Sequence, residues 1–425
     1  GSERIISFWW ISIRSFIYLL QVFLMANVKQ LKHLEHLEDE MLNYGVEGCK
    51  AAVSFLKELR KMLGQQESAG FMQTKWDGAP AVICGEHPLS GYFFVGTKSV
   101  FNKTEPKVCY DEWGVDQYYQ GDLAEKLKYS LRYFSQLGIK GVIQGDLLFT
   151  DSTRKTETVD GEKLYTFRPN TITYGIPVSH DIGKEVGRAK IGVVFHTHYT
   201  GDDLETMQAR AGASIRTFNK VSEVAVINND TPMHRVGFSK IEMKTFDNNV
   251  SKIEEMCRKC GDFLDELVTK TGTTGDAKFH IASYLKQFFN NEIKNARTIN
   301  KVDDAMYSML NFYGDKMEKE LAKIKTTANL TKKRNLVYDS QLYVENNKDK
   351  FKAMLTLYKE LQSTKQMVID KLDHLEEFRT FVQTEKGYKV TGPEGYVLHK
   401  DGDMIKFVNR MEFAYNNFTL QKQWR

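Results

Sequence analysis

Phe71-Met-Gln-Thr-Lys75-Trp-Asp77-Gly78-Ala-Pro80-Ala-Val-Ile83 decides how the rest of this chain is read. A short apolar-leaning run delivers a lysine, Asp-Gly and a proline come next, and a second apolar run begins. That pattern predicts strand, tight turn and strand, with Lys75 at the mouth of the turn. A deprotonated amine held there can act as a nucleophile. Taken alone the stretch is weak. Lys-x-Asp-Gly arises by chance in roughly one chain in ten of this length, and its bland reading is a lysine-bearing β-turn.

Downstream, Ala81–Gly85 and Tyr92–Gly96 are expected strands around the loop 86–91, and Lys98 comes directly after them. Val142–Phe149 reads as a strand that carries Asp146; a lone carboxylate is expensive to bury in an apolar strand, so it points to function. Thr171–Val178 and Ile191–His198 alternate as strands. They bring Tyr174 and Phe195 as candidate stacking rings, with plain sheet packing as the alternative for both. His196 and His198 on the second of these read as solvated side chains. Val221–Asn228 and Arg235–Met243 are further expected strands. Sheet texture returns at Tyr388–Val390, Gly395–His399 and Met404–Val408, where a Gly392-Pro393 turn places Glu394 at a strand edge.

The remaining periods are helical. A hairpin is expected over residues 25–66: one helix at 29–44 stopped by Gly45, and a second at 47–63 ending at Gly64, with His33 and His36 solvated. From 247 to 385 apolar residues recur at helical spacing, for example Ile281, Leu285, Phe288 and Phe289, then Met354, Leu357, Tyr358 and Leu361. This block reads as an inserted helical domain whose balanced charges describe solvated faces.

Lys75-Trp-Asp77-Gly78-Ala-Pro80 resembles motif I of the covalent nucleotidyltransferases, the superfamily of ATP-dependent DNA ligases, RNA ligases and capping enzymes. Further segments resemble later motifs in the family's order. They are Gly96-Thr-Lys98-Ser99, Gln144-Gly145-Asp146-Leu147 (motif III), Thr171-Ile-Thr-Tyr174 (IIIa), Glu394-Gly395-Tyr-Val397 (IV) and Ile405-Lys406-Phe-Val408 (V). The chain looks closest to a phage protein family related to phage RNA ligases.

The resemblance implies an α+β fold of the ligase type, with ATP-grasp-like antiparallel sheets over 67–246 and 386–418. The helical domain would be inserted between these two parts, with no C-terminal OB domain. It implies Lys75 as the catalytic residue that carries AMP from ATP. Nucleotide binding would fall to Asp77, Gly78, Lys98, Asp146, Tyr174 or Phe195, Glu394, Lys406 and Arg410, and Mg²⁺ or Mn²⁺ would be held by Glu394 and Asp146. Implied partners are nucleic-acid ends carrying a 5′-phosphate and a 3′-hydroxyl, RNA before DNA; the helical insert names no partner. Asp146 is one methylene shorter than the family's glutamate, and Val408 stands where a second lysine is usual, which makes Arg410 the substitute. Two other readings stay open: a transferase of capping or protein-adenylylating specificity, and a nucleotide-binding protein on a decayed ligase core.

Apolar content of 41%, charge of 27% and a net charge of +4 describe a chain able to bury a core, and neither demand nor exclude nucleic acid. Five cysteines without regular spacing fit a reducing compartment, so a cytoplasmic location, in the host if phage-encoded, is expected. Cys257-Arg-Lys-Cys260 reads as two helical thiols. Residues 1–24 form an apolar extension, read as an upstream segment before Met25. Arg14 at its centre argues against a membrane span, with an anchor helix as the alternative.

Overall fold

The computed structural model describes residues 35–268, 278–375 and 377–410. The segment 1–24 and His33 therefore lie outside the described residues, whose compact unit begins at His36.

In chain order, strand β1 (Glu35–His36) and a 3₁₀ turn at Leu37–Asp39 lead into helix α1 (Glu40–Leu63). Strands β2 (Phe71–Lys75), β3 (Ala81–Glu86) and β4 (Phe93–Gly96) precede a 3₁₀ turn at Lys98–Phe101 and helices α2 (Glu112–Tyr118) and α3 (Gly121–Phe134). Next come β5 (Val142–Thr150), β6 (Lys155–Val159), β7 (Glu162–Phe167), β8 (Thr173–Pro177), helix α4 (Asp181–Arg188), β9 (Ile191–Thr200), β10 (Gln208–Ala211) and β11 (Val224–Val226). Helices α5 (Lys240–Cys260), α6 (Asp262–Val268), α7 (Lys278–Lys294), α8 (Val302–Leu321), α9 (Thr327–Asn346) and α10 (Lys348–Leu372) run without an intervening strand among the described residues. The described chain closes with β12 (Arg379–Thr384), β13 (Gly387–Val390), β14 (Gly395–Lys400) and β15 (Asp403–Phe407).

Three sheets result, in orders β1-β15-β14-β2, β10-β9-β5-β3-β4 with β11 beside β9, and β13-β12-β8-β7-β6. The α+β class is thus observed. The turn at Lys75 does separate two strands, yet they enter different sheets: β2 pairs β14, whereas β3 pairs β4 and β5.

The helical hairpin expected at 25–66 takes another form. Its residues 25–34 lie outside the described residues; among those described, 35–39 are strand and 3₁₀ turn, and the helix begins at Glu40. Gly45 breaks that helix with φ 62° and ψ −133°, a conformation that a residue without Cβ reaches most easily. The Asp265 carboxylate then accepts from the Val46 N–H at 2.9 Å, restarting the helix as an N-cap would.

The helical block also departs from its expected bounds. Arg235–Met243 is not a strand, because Ser239 and Glu242 form a reciprocal capping box that opens α5. At the other end β12 already belongs to a sheet, pairing β8. Nor do the helices keep a core to themselves. One apolar cluster joins Leu56 and Leu59 of α1, Leu264, Phe288, Met309 and Tyr358 of the block, and Tyr396, Leu398 and Phe407 of the sheet. Cys49 of α1 and Cys257 of α5 form a disulfide, so Cys257 is not the free thiol its Cys-x-x-Cys spacing suggested; Cys260 is free and buried. Spacing could not reveal the pair, because Cys49 lies 208 positions from its partner.

Candidate active site

Strand register assembles the centre. Lys75 ends β2 opposite Gly395, the first residue of β14, so Glu394 arrives beside it. The Lys75 Nζ donates to Glu394 Oε1, an ion pair in which the lysine side chain is 32% exposed and the glutamate 9%. Gln73 faces Val397, and Val397 faces Lys406 on β15. Because side chains alternate along a strand, Lys75 and Lys406 share one sheet face, opposite the apolar face of Tyr396, Leu398 and Phe407.

The turn after Lys75 is clamped on both sides. Asp77 accepts from Asn170 Nδ2 at 2.8 Å and from the N–H groups of Thr171 and Ile172 at 2.8 and 3.0 Å. Ala79 N–H donates to the Leu147 carbonyl, and Leu147 N–H to the Pro80 carbonyl, each at 3.0 Å. This zips the turn onto β5 where that strand carries Asp146. A Cβ on Gly78 would stand 2.7 Å from the Asp146 Cβ and 3.1 Å from the Leu147 carbonyl oxygen, so the approach requires glycine.

A bulge brings in a residue that alternation alone does not select. Gln144 pairs Thr197 and Gly145 pairs Phe195, which leaves His196 as the extra residue on β9. Its Nε2 lies 3.2 Å from Asp146 Oδ2, while its Nδ1 meets Thr197 Oγ1 at 2.8 Å. His196, expected as solvated, is therefore a neighbour of the candidate carboxylate. His198 instead contacts the Gly212 carbonyl, its Nδ1 lying 2.9 Å away.

The charges are close enough to act on one another. Burial raises the Glu394 carboxyl above its usual range, Asp77 and Asp146 push the same way, and Lys75 opposes them. Burial also holds His36 well below the usual imidazole range, with Arg410, Lys365, Lys406 and Lys75 adding to the effect. Its Nδ1 is buried and has no hydrogen-bond partner among the described residues, so His36 is not the solvated residue its sequence context suggested.

Three sequence-predicted residues stand elsewhere. Tyr174 is 0% exposed, packed against Trp76, Phe167 and Phe378, and its hydroxyl accepts from the Asp77 N–H at 2.7 Å. It supports the turn from behind and is too enclosed to offer a face to a base. Phe195 is equally enclosed, edge-on to Phe134 and Phe218 beneath the second sheet. Arg410 is drawn away from phosphate chemistry by Glu38 and Asp39, at 3.3 and 3.1 Å, and by donation to Asn290 at 2.7 Å. Lys98 is exposed in the turn after β4.

That turn ends at Phe101, whose ring lies 4.6 Å from the ring of Tyr199, both half-buried. The Tyr199 hydroxyl donates to Gln144 Oε1 at 2.6 Å, and Gln144 lies two residues from Asp146 on the same strand. An aromatic pair thus flanks the face that Asp146 occupies. Its signal in the sequence was alternation from Asp146 back to Gln144, which does not name the cross-strand tyrosine.

Among the described residues no group of three His, Cys, Asp or Glu side chains could hold a metal ion. The carboxylates present, Asp146 and Glu394, are hard oxygen donors. That set fits Mg²⁺, which keeps waters and phosphate oxygens rather than requiring an all-protein cage.

The fold and site define a mixed α and β protein whose distant segments converge on one lysine–carboxylate pair. The chain belongs to a family of unknown function, DUF6267, which matches residues 27–422. No curated protein and no solved structure matches it. Among the described residues no helix is long and apolar enough to cross a membrane.

Proposed function

We propose that this protein is an ATP-dependent polynucleotide ligase, with RNA ends favoured, that works through AMP carried on Lys75. One observation carries the reading: Lys75 and Glu394, 319 positions apart, form an ion pair on adjacent strands, within reach of Asp77 and Asp146. A buried carboxylate with a raised proton affinity beside an amine is suited to take that amine's proton. Once its proton has passed through Glu394 to solvent, the Lys75 nitrogen forms a bond to the α-phosphorus of ATP as the bond to pyrophosphate breaks. AMP then moves to a 5′-phosphate, restoring the amine, and a 3′-hydroxyl displaces AMP to seal the strand. Asp146, oriented by His196, faces the ribose; Lys406 and Lys98 offer charge to the phosphates; Phe101 and Tyr199 replace Tyr174 as the platform for the base. Mg²⁺ or Mn²⁺, held by oxygens of Asp146 and Glu394, would add positive charge at the phosphates.

The test is intact mass after incubation with Mg²⁺ and each nucleoside triphosphate, on protein first stripped with pyrophosphate. AMP on Lys75 supports the reading, and GMP there redirects it to capping-like chemistry. No adduct removes it in favour of a non-catalytic nucleotide-binding protein. Asp146 in place of a glutamate and Val408 in place of a second lysine are the features on that side.

A further inference from the structure

A second polar space lies behind the clamped turn. It is a cavity of about 600 Å³ between α3, the turn after β5 and the outer face of the third sheet. That volume suits a nucleotide-sized ligand. Lys126, Lys155 and Arg168 line it with Asp122, which lies 2.7 Å from Lys126; Glu157, on the strand face that Lys155 shares, accepts from the Thr166 and Tyr388 hydroxyls of the wall. Thr150, Ser152, Thr153 and Thr173 add hydroxyls to the wall. Lys155 and Thr166 are direct cross-strand partners, so register delivers a cation and a hydroxyl to the same face. Lys155 is exposed and forms no ion pair among the described residues. Three cations against two carboxylates, with hydroxyls beside them, form a donor set that phosphate oxygens accept.

The cavity is joined to the Lys75 turn by one loop. Ala79 lines it, as do Arg168 and Pro169; the next three residues, Asn170, Thr171 and Ile172, hold the Asp77 carboxylate. Arg168 Nε also donates to the Asn170 carbonyl at 3.2 Å. Anything that engages Arg168 therefore pulls on the clamp of the turn.

We propose that this cavity binds a phosphate-bearing nucleotide unit, a second site coupled to Lys75 through the loop 168–172. The assignment of its occupant to a strand end rests on the ligase reading; the anion site itself does not. The test uses the full chain, a fluorescent 5′-phosphorylated oligoribonucleotide followed by anisotropy, and radiolabelled ATP followed by equilibrium dialysis. Lys155→Glu changes an exposed side chain, so it should fold normally and still take AMP on Lys75. It should weaken the oligonucleotide about tenfold and flatten the salt dependence of binding. Arg168→Ala should weaken it similarly and also slow AMP loading. If Lys155→Glu spares the oligonucleotide but removes one of two bound ATP equivalents, the site stands and its source is free nucleotide. Unchanged oligonucleotide affinity and ATP stoichiometry in both variants would overturn the proposal. Lys155-dependent binding in a protein that never takes AMP would retire the ligase reading and leave the cavity.

Discussion

Lys75–Glu394 and Lys365–Glu38 are both lysine–glutamate pairs, yet they are built for opposite ends. In the first the lysine is 32% exposed, and the glutamate is crowded by two further carboxylates. In the second both side chains are nearly sealed, at 4% and 0% exposure, and Arg410 donates to the same glutamate. Burial alone would raise Glu38, but Lys365 and Arg410 outweigh it and keep that carboxyl below its usual range. A pair whose lysine reaches solvent, beside surplus negative charge, can open to a ligand. A sealed pair with balanced charge ties α10 to the turn before α1 and is hard to replace piecemeal.

The largest contrast comes from Lys75→Ala, which should abolish the AMP adduct, read by intact mass, and cost less in urea unfolding than loss of the sealed pair, because Glu394, whose proton affinity burial raises, can take a proton when its partner is lost. A full-strength adduct in that variant would break the comparison at its first term. Lys365→Met should do the reverse. It strands a buried carboxylate and should cost about 3–5 kcal/mol in urea unfolding, while any protein that stays folded still loads AMP. Reducing the Cys49–Cys257 bridge, or Cys49→Ser, should cost about 2–4 kcal/mol; non-reducing peptide mapping would detect the bridge directly.

The smallest effect is on pH dependence. Burial moves the His399 imidazole down to about 4, so below pH 6.5 the unfolded chain binds a proton that the folded chain refuses. Stability should therefore fall as pH drops from about 6.5 toward 4, by on the order of 2–3 kcal/mol from this residue. His399→Phe, which keeps a ring against Phe71, should flatten that slope in denaturation curves at stepped pH.

Much of this centre was legible because its chemistry coincides with strand ends. The Lys75 turn, Asp146 in an apolar strand and Glu394 after Gly392-Pro393 all follow from local pattern. What escaped depends on partners far away. Tyr174 reads equally as a stacking ring or as sheet packing in an alternating strand, and only its packing on Trp76, from a different segment, decides for burial. Arg410 looks like a phosphate ligand until Glu38 and Asp39, some 370 positions earlier, claim it. His196 needed the bulge opposite Gly145, which no spacing in β9 reveals. The start of α5 is different, because its signal is local: Ser239 with Glu242 three residues later marks a helix inside a stretch that alternates like a strand.

The first sheet's outer pairing, β2 against β14, joins segments far apart in the chain. On a ribosome adding about 5–20 residues each second, Glu394 emerges roughly 15–60 s after Lys75. For that interval the lysine exists without its counter-charge, and nothing made so far can act as this site. The helices synthesised in between share an apolar core that Tyr396, Leu398 and Phe407 of the last strands complete. The lysine–carboxylate pair is therefore withheld until β14 has been reached, and a message truncated before β14 yields Lys75 without Glu394.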